Sequence, residues 1–284
     1  MIAPNIYPLD YHFGPVQLTG FGLAVLAGFL IGQFVNVREM ARRGHLPEAE
    51  AMPDVVLAAV IGTLLGAKLY YVILTGDPSA FFSRGGFVYW GGFVGSVLLC
   101  YLTIKYKKMS FIRFSDVCGI GIMAGYVVGR TGCWAVGDDY GKPWSGWAAV
   151  KFPQGAPPST AGVMQRAFGV PIVPGTLPDT VLSVHPSQLY EVTLGFICFL
   201  ILWKFRKHKH AEGWLFGLYA VLAGSERFIA EFFRAKDDRL LGPLTLAQGF
   251  GLTLVVAGAW WMMARWTPGP GRPRASMIRP AHSP

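Results

Sequence analysis

Residues 121–143 read GIMAGYVVGRTGCWAVGDDYGKP and hold the strongest structural signal in the chain. The first half is apolar and carries a glycine at every fourth position, at Gly121, Gly125 and Gly129. Small residues at this spacing form a stripe along a membrane helix, which lets a neighbouring helix backbone approach closely. Arg130 follows at once, and a polar, glycine-punctuated turn comes after it at 137–143. The stretch therefore predicts a membrane helix that packs through glycines and ends in a cation.

The composition of the whole chain is that of a membrane protein. Of its 284 residues, 52% are hydrophobic and only 14% are charged, and the mean hydropathy is +0.41. These values exclude an ordinary soluble domain. The net charge of +9 does not indicate binding of nucleic acid, because the basic residues lie between apolar runs and therefore follow the topology.

The cysteines indicate neither a disulfide framework nor a zinc site, because no CxxC pair and no Cys/His ligand spacing occurs. All four lie in or at the ends of apolar runs: Cys100, Cys118, Cys133 and Cys198. We therefore expect no metal and no cofactor. No Lys or Arg precedes Arg38, so we expect the first apolar run to remain as a span and not to act as a signal peptide.

Seven apolar runs are long enough to cross a bilayer, which takes about 20 helical residues. They lie near 17–37, 53–74, 87–104, 114–133, 186–203, 213–233 and 244–266. We predict an all-α integral membrane protein, a seven-transmembrane helix bundle formed by residues 1–266. The connectors after the first, third, fifth and seventh runs hold about twice as many Lys and Arg residues as the others. By the positive-inside rule, this asymmetry predicts an N-terminus outside and a C-terminus in the cytoplasm.

Two segments differ from the short connectors. Residues 134–185 are rich in Pro, Gly, Ser and Thr, and we predict a small extracytoplasmic head of irregular structure inserted into the membrane domain. Residues 267–284 are rich in Pro and Arg without apolar periodicity, which predicts a disordered cytoplasmic tail. No repeat suggests the two inverted halves of a transporter, so a small-molecule transporter is disfavoured.

Arg130 and the turn at 137–143 form the first candidate site. A charged residue in a membrane helix costs roughly 2.5–3.5 kcal/mol on insertion scales, so it is normally kept for a purpose. A guanidinium group matches phosphate oxygens, and glycines such as Gly141 let backbone N–H groups approach an anion. We interpret the pair as a site for an anionic lipid headgroup. The alternative is an arginine that snorkels to the interface.

The segment 185–191, HPSQLYE, is the second candidate site. Proline favours a helix start, and Gln188 and Glu191 lie one turn apart on one helix face. The polar side chains of this segment are those of His185, Ser187, Gln188, Tyr190 and Glu191. A His-Pro start is often only a cap, but a carboxylate such as Glu191 in a span usually needs a partner or a proton.

The segment 226–234, ERFIAEFFR, is the third candidate site. Arg227, Glu231 and Arg234 follow one another at helical spacing and share one face of the sixth span. Two arginines around one glutamate leave a positive charge that suits an anionic partner, and the alternative is a structural ion-pair ladder. Lys68 in the second span is open to two interpretations, joining this site or snorkelling.

Together these motifs resemble bacterial prolipoprotein diacylglyceryl transferases. The resemblance covers most of the chain. It rests on GRTG at 129–132 before a Gly-acid-x-x-Gly turn, on the whole segment 185–191, and on Arg227 before EFFR at 231–234. Seven spans with an outside N-terminus also fit this family.

The resemblance implies a multi-pass enzyme of the bacterial cytoplasmic (inner) membrane. It would transfer the diacylglyceryl group from phosphatidylglycerol to the lipobox cysteine thiol of prolipoprotein signal peptides and release glycerol phosphate. Its partners would be these substrates and membrane lipids, and no nucleic acid. The family's signature arginine would be Arg130, its later essential arginine Arg227, and its signature glycine Gly141. The alternative is a non-catalytic lipid-binding or assembly protein on the same fold.

The chain departs from the family pattern at several positions, which favours a divergent member. Trp90 begins a Trp-Gly-Gly tripeptide where the family has His-Gly-Gly, so the histidine associated with thiol chemistry is absent. Two asparagines of the family correspond to Cys133 and Val136, and two tyrosines correspond to Phe21 and Ala223.

Alkylation of a thiol by a phospholipid needs a thiolate and a stabilised leaving phosphate. We expect Arg130 and Arg227 to hold the phosphate. The candidates for the base are, in order, Asp138 or Asp139, His185 and Glu231. Cys133 as a covalent acceptor is disfavoured, because a small apolar cysteine on a packing helix is the commoner case. The residues that we expect to bind substrate are Arg130, Gly141, Ser187, Gln188, Tyr190, Glu191, Glu231 and Arg234.

Overall fold

The computed structural model describes residues 3–14, 16–83, 86–235, 239–241 and 244–267. The helices in this part of the chain are α1 (Gly20–Arg42), α2 (Leu46–Thr75), α3 (Tyr89–Tyr106), α4 (Phe111–Val136), α5 (Ala161–Phe168), α6 (Ser187–Phe205), α7 (Trp214–Ala230) and α8 (Leu246–Ala264). Two antiparallel hairpins join β1 (Asp10–Phe13) to β2 (Val16–Thr19) and β3 (Arg239–Leu241) to β4 (Leu244–Thr245). The architecture is helical as predicted, and neither hairpin follows from the apolar pattern.

Five helices in the described ranges are long and apolar enough to cross a membrane: α1, α2, α4, α6 and α8. The predicted spans at 87–104 and 213–233 coincide with α3 and α7, which have 18 and 17 residues and are not among these five. The structure is therefore that of a helical integral membrane protein. The count of seven spans and the orientation of the termini stay predictions.

Helix α4 lies at the centre of the bundle, where it packs against α1, α6 and α7. The predicted glycine stripe joins it to α1, because a Cβ on Gly125 would lie only 2.8 Å from the carbonyl oxygen of Gly28. Gly121 also faces α1, where a Cβ would collide with Asn36. The third glycine of the stripe differs, since a Cβ on Gly129 would meet open space.

Close approach through glycine recurs in two further helix pairs. A Cβ on Gly258 of α8 would lie 2.7 Å from the carbonyl oxygen of Gly217 in α7, and Gly62 of α2 faces Gly95 of α3. Only a residue without a side chain lets two backbones pack at this distance. The described bundle is thus assembled largely from three glycine-packed helix pairs.

The head is shorter and more ordered than predicted. Helix α4 continues to Val136, so the head begins at 137 and not at 134. Helix α5 lies within it, and a cluster of buried residues that includes Tyr140, Phe152, Met164 and Val184 forms its own small core. The head also bonds to the N-terminal segment, since Ile6 N donates to Lys151 O at 2.7 Å. Hydrophobic packing inside the insertion therefore fixes a segment whose composition predicts irregular structure.

Two further predicted boundaries move. Helix α2 begins at Leu46, seven residues before the predicted span, and accommodates Pro53 within it. Helix α7 ends at Ala230, so Arg234 does not continue the helical face predicted for Arg227 and Glu231. The predicted tail at 267–284 lies outside the described residues except for Thr267.

Candidate active site

The turn after α4 brings three distant segments together. Gly137 and Asp139 adopt left-handed backbone conformations, with φ of 67° and 58°, which reverse the chain at the end of the helix. Gly141 N then donates to His185 O at 2.9 Å, and Lys142 N donates to Phe233 O at 2.8 Å. A Cβ on Gly141 would lie 2.6 Å from His185 Cβ, so only glycine allows this contact. The turn is therefore positioned by the segments before α6 and after α7.

Two side chains of the HPSQLYE segment hold the turn in place through hydrogen bonds to its backbone. Ser187 Oγ donates to Asp139 O, and Gln188 Nε2 donates to Asp138 O, both at 2.7 Å. Both side chains are buried. Buried donors bonded to backbone carbonyls fix the local conformation, so this part of the segment orients the acidic turn.

Arg130 and Arg234 share the same two carboxylates. Arg130 Nη1 lies 2.8 Å from Asp139 Oδ2, and its Nη2 forms an ion pair with Glu191. Arg234 contacts the other oxygen of Asp139 and lies 3.4 Å from Glu191 Oε1. Two guanidinium groups from different parts of the chain therefore converge on one pair of carboxylates.

Arg227 joins this cluster indirectly. It forms an ion pair with Glu231, and Arg234 Nε lies 3.9 Å from the same carboxylate oxygen. Arg130 and Arg227 thus share no carboxylate, and Arg234 is the residue that links them. We call these six residues the Arg130 network: Arg130, Asp139, Glu191, Arg227, Glu231 and Arg234.

The three arginines of the Arg130 network retain access to the surface while its glutamates do not. The side chains of Arg130 and Arg234 are 13% and 14% exposed, and that of Arg227 is 31% exposed. Glu191 and Glu231 are buried. Arg130 Nε has no hydrogen-bond partner in the described part of the chain. The arginines of the network are therefore partly exposed, and the carboxylates orient them.

The two acidic residues of the turn differ electrostatically. Burial and the neighbouring Asp139 raise the pKa of Asp138. Burial would also raise the pKa of Asp139, but Arg234 and Arg130 outweigh it and hold this pKa below the ordinary value. Asp139 is therefore an arginine partner, and Asp138 is the better proton acceptor of the two.

His185 lies beside the turn and packs between aromatic rings. Its ring stacks on Trp144 with centroids 4.3 Å apart, and its Nδ1 lies 3.3 Å from Tyr190 Oη. Burial, together with Lys142, lowers the pKa of His185. The imidazole is consequently neutral near pH 7 and able to accept a proton.

Of three other residues named from the sequence, Lys68 and Trp90 have partners outside the Arg130 network, and Cys133 contacts Arg130 itself. Lys68 Nζ donates to Ser83 on the segment after α2 and lies 4.6 Å from the centre of the Phe87 ring. Trp90 packs on Phe250 of α8, with ring centroids 5.1 Å apart. Cys133 is buried and its Sγ accepts a hydrogen bond from Arg130 at 3.3 Å.

Tyr126 and Glu226 belong to the site, although the sequence analysis gave a role to neither of them. Tyr126 Oη lies 2.8 Å from Glu191 Oε2 and 3.0 Å from Glu226 Oε1. Two signals were available: Tyr126 precedes Arg130 by one helical turn, and Glu226 is the first residue of the segment 226–234. Among the described residues, no group of three or more His, Cys, Asp or Glu side chains is arranged to hold a metal ion.

The fold and the site define a helical integral membrane protein with a cluster of arginines and carboxylates at one end of its bundle. A family model described as prolipoprotein diacylglyceryl transferase matches residues 8–264. The chain belongs to the prolipoprotein diacylglyceryl transferase family.

Curated relatives cover nearly the whole chain. A phosphatidylglycerol–prolipoprotein diacylglyceryl transferase of Nitratidesulfovibrio vulgaris is 32% identical over 274 residues, which are 90% of this chain and 94% of the relative. Proteins of the same name from Xanthomonas oryzae pv. oryzae and Geobacter sulfurreducens are 30% and 28% identical. The alignments cover 93% of both chains for the first, and 91% of this chain and 95% of the relative for the second.

Proposed function

We propose that this protein transfers the diacylglyceryl group of phosphatidylglycerol to the lipobox cysteine thiol of prolipoproteins. In this reaction a bond forms between the thiol sulfur and a glycerol carbon, while the bond from that carbon to a phosphate oxygen breaks. Glycerol phosphate leaves, and the thiol proton passes to a base. The names of the relatives support this activity over a non-catalytic lipid-binding or assembly role. The observation that carries the proposal is the pair of arginines on shared carboxylates, Arg130 and Arg234.

In the proposed complex, the lipid phosphate binds to Arg130 and Arg227. Arg227 is the most exposed arginine of the network, which suits first contact with a headgroup. Arg130 is held by carboxylates in a site of low dielectric constant, where a guanidinium group stabilises developing charge strongly. Arg234 links the two arginines through the carboxylates that it shares with each of them.

For the base we propose Asp138, with His185 as the second candidate. The raised pKa of Asp138, caused by burial and Asp139, favours uptake of a proton. Asp139 and Glu231 are less suitable because arginines neutralise them. Gly141, Ser187, Gln188 and Tyr190 lie around the turn and would position it against the substrate.

The topology proposed from the sequence suits this reaction. Seven spans in the bacterial cytoplasmic membrane, within a single domain at 1–266, would put the end of α4 and the head at the outer face. A lipobox cysteine of an exported precursor emerges at that face. The basic connectors at the opposite end of the bundle, near Arg38 and Lys107, support this orientation.

A direct assay tests the function. The purified full-length protein is incubated with phosphatidylglycerol and a synthetic lipobox peptide, and mass spectrometry measures the mass of the peptide. We expect a diacylglyceryl adduct on the cysteine, and none on a matched peptide with serine at that position. Phosphatidylethanolamine and phosphatidic acid serve as donor controls. Binding of phosphatidylglycerol without any adduct would favour the non-catalytic alternative.

A further inference from the structure

Tyr126 of α4 connects two buried glutamates, Glu191 of α6 and Glu226 of α7. Its hydroxyl oxygen lies within hydrogen-bond distance of both, at 2.8 and 3.0 Å. A phenol hydroxyl has one hydrogen to donate. It can therefore donate to only one of the two carboxyl groups. At the other contact the hydrogen must come from the glutamate, so one of the two carries a proton.

The surrounding charges identify Glu226 as the protonated member. Glu191 contacts two cations, Arg130 and Arg234. Glu226 has no ion pair within the described ranges, and it is 6% exposed. Burying a carboxylate without a cation costs far more than burying the neutral acid. The hydrogen bonds therefore run from Glu226 to Tyr126 and from Tyr126 to Glu191.

We propose that this relay moves a proton from Glu226 to Glu191 when the lipid phosphate binds, an inference that rests on the proposed function. The phosphate competes with Glu191 for the arginines and places a second negative charge beside it, which disfavours the charged form of Glu191 relative to that of Glu226, farther away. Tyr126 gives its proton to Glu191 and takes the proton of Glu226. Only O–H bonds change, and the net charge of the site is conserved. Glu226 and Tyr126 are positioning residues, since they act through Glu191.

Within the described ranges Glu226 has no ion pair, so a charge there is acceptable only in the bound state, when the phosphate lies beside Glu191. The shift then moves the negative charge from Glu191 to the far end of the relay. The titratable and charged groups that face Glu226 are Tyr126 and Arg130 of α4, Glu191 and Cys198 of α6, and Arg227 and Tyr219 of α7. On α8, the residues packed around Gly224 are the apolar Leu254 and Val255.

Infrared spectroscopy of the full-length protein in detergent reports the proton directly. We expect a protonated-carboxyl band that is lost in Glu226→Gln and kept in the matched control Tyr219→Phe, a half-buried tyrosine on α7. Addition of phosphatidylglycerol should shift this band in the wild type and leave Glu226→Gln without the change. A resting spectrum that Glu226→Gln does not alter would overturn the proposal.

Kinetics separate the relay from a structural role. Glu226→Gln keeps a hydrogen-bond donor but holds its proton permanently, so we expect KM for phosphatidylglycerol to rise about tenfold or more with a smaller change in kcat. Tyr126→Phe should give the same result. In a Glu191→Gln background, where residue 191 is already neutral, Glu226→Gln should have no further effect. Independent, multiplying effects of the two glutamine substitutions would contradict the relay.

The two proposals fail in different ways. A wild-type protein that forms no diacylglyceryl peptide would contradict the proposed function, while the infrared band would still report the proton on Glu226. An active wild type with an unchanged KM in Glu226→Gln would contradict the relay alone. Thermal unfolding of each variant shows whether a loss of activity reflects a loss of fold.

Discussion

Helix α4 carries a buried ion-pair network near each of its ends, and the two are built differently. Near its start Asp116 lies 2.9 Å from Arg43 and 3.4 Å from His208, and Arg43 also contacts Glu39 at 2.8 Å. We call these four residues the Asp116 network. Their side chains are at most 2% exposed. In the Arg130 network at the other end, the arginines remain 13–31% exposed.

The partners of the Asp116 network are structural. The second oxygen of Asp116 accepts the backbone N–H groups of Leu215 and Phe216 at 2.8 and 3.2 Å. Helix α7 begins after Gly213, which has no side chain to cap these donors, so Asp116 caps the helix from α4. A buried charge is therefore not by itself evidence of function in this protein. We expect the functional arginines to be those at the end of α4 that adjoins the head.

The contrast between the two networks can be tested by substitution, and the largest expected effect is the loss of stability in Asp116→Ala. The substitution leaves Arg43 charged and buried and removes the cap of α7, and breaking a buried pair costs about 3–5 kcal/mol. Chemical unfolding in detergent measures the change. Glu212→Ala, which removes an exposed partner of Arg113, is the control and should cost less than about 1 kcal/mol. The folded fraction of Asp116→Ala should transfer lipid at a rate near that of the wild type.

Arg130→Ala should lower activity, whereas Asp116→Ala should lower stability. We expect kcat/KM to fall by about 10²–10³, the usual effect of removing one preorganised group that stabilises developing charge. Arg42→Ala is matched to it, since Arg42 also pairs with a buried glutamate but at the other end of the bundle. This control should keep its activity. Equal losses in both variants would show that the loss of any arginine–glutamate pair lowers activity, whichever end of the bundle it occupies.

The pH dependence of lipid transfer distinguishes between Asp138 and His185 as the base. Burial and Asp139 raise the pKa of Asp138, and a base acts only when deprotonated. The wild-type rate should therefore fall as the pH drops through this raised pKa. Asp138→Asn should remove that acidic limb and lower the maximal rate about 10²-fold. Loss of the limb in His185→Gln instead would assign the base to His185.

The smallest expected effect concerns the support of the acidic turn. Ser187→Ala removes one hydrogen bond to Asp139 O, which is worth about 0.5–1.5 kcal/mol. Stability should fall by this amount and kcat/KM by less than tenfold. Ser225→Ala removes a hydroxyl that bonds only within its own helix, to Val221 O, and serves as the control. A larger loss of activity in Ser187→Ala than in Arg130→Ala would mean that Ser187 contacts substrate.

Local patterns predicted much of the fold. Each of the seven apolar runs coincides with a helix, and the glycine spacing at Gly121 and Gly125 correctly predicted close packing of α4. The pattern did not predict the end of α7 at Ala230, and so it placed Arg234 on a helical face. Instead Arg234 forms a β-bridge with Gly141. Helical spacing does not predict the residue at which a helix ends and the chain begins to pair with another segment.

Residue type and order were sufficient to indicate a helical membrane protein, its family, and the candidate arginines and acids of the site, because apolar periodicity and motif spacing are properties of neighbouring residues. Residue type and order did not predict which of these charged side chains pair with one another. Arg234 meets Asp139 across 95 positions of the chain, and Tyr126 meets Glu226 across 100. Such contacts arise only when α4, α6 and α7 pack together, since packing sets which carboxylate finds a cation and which keeps its proton.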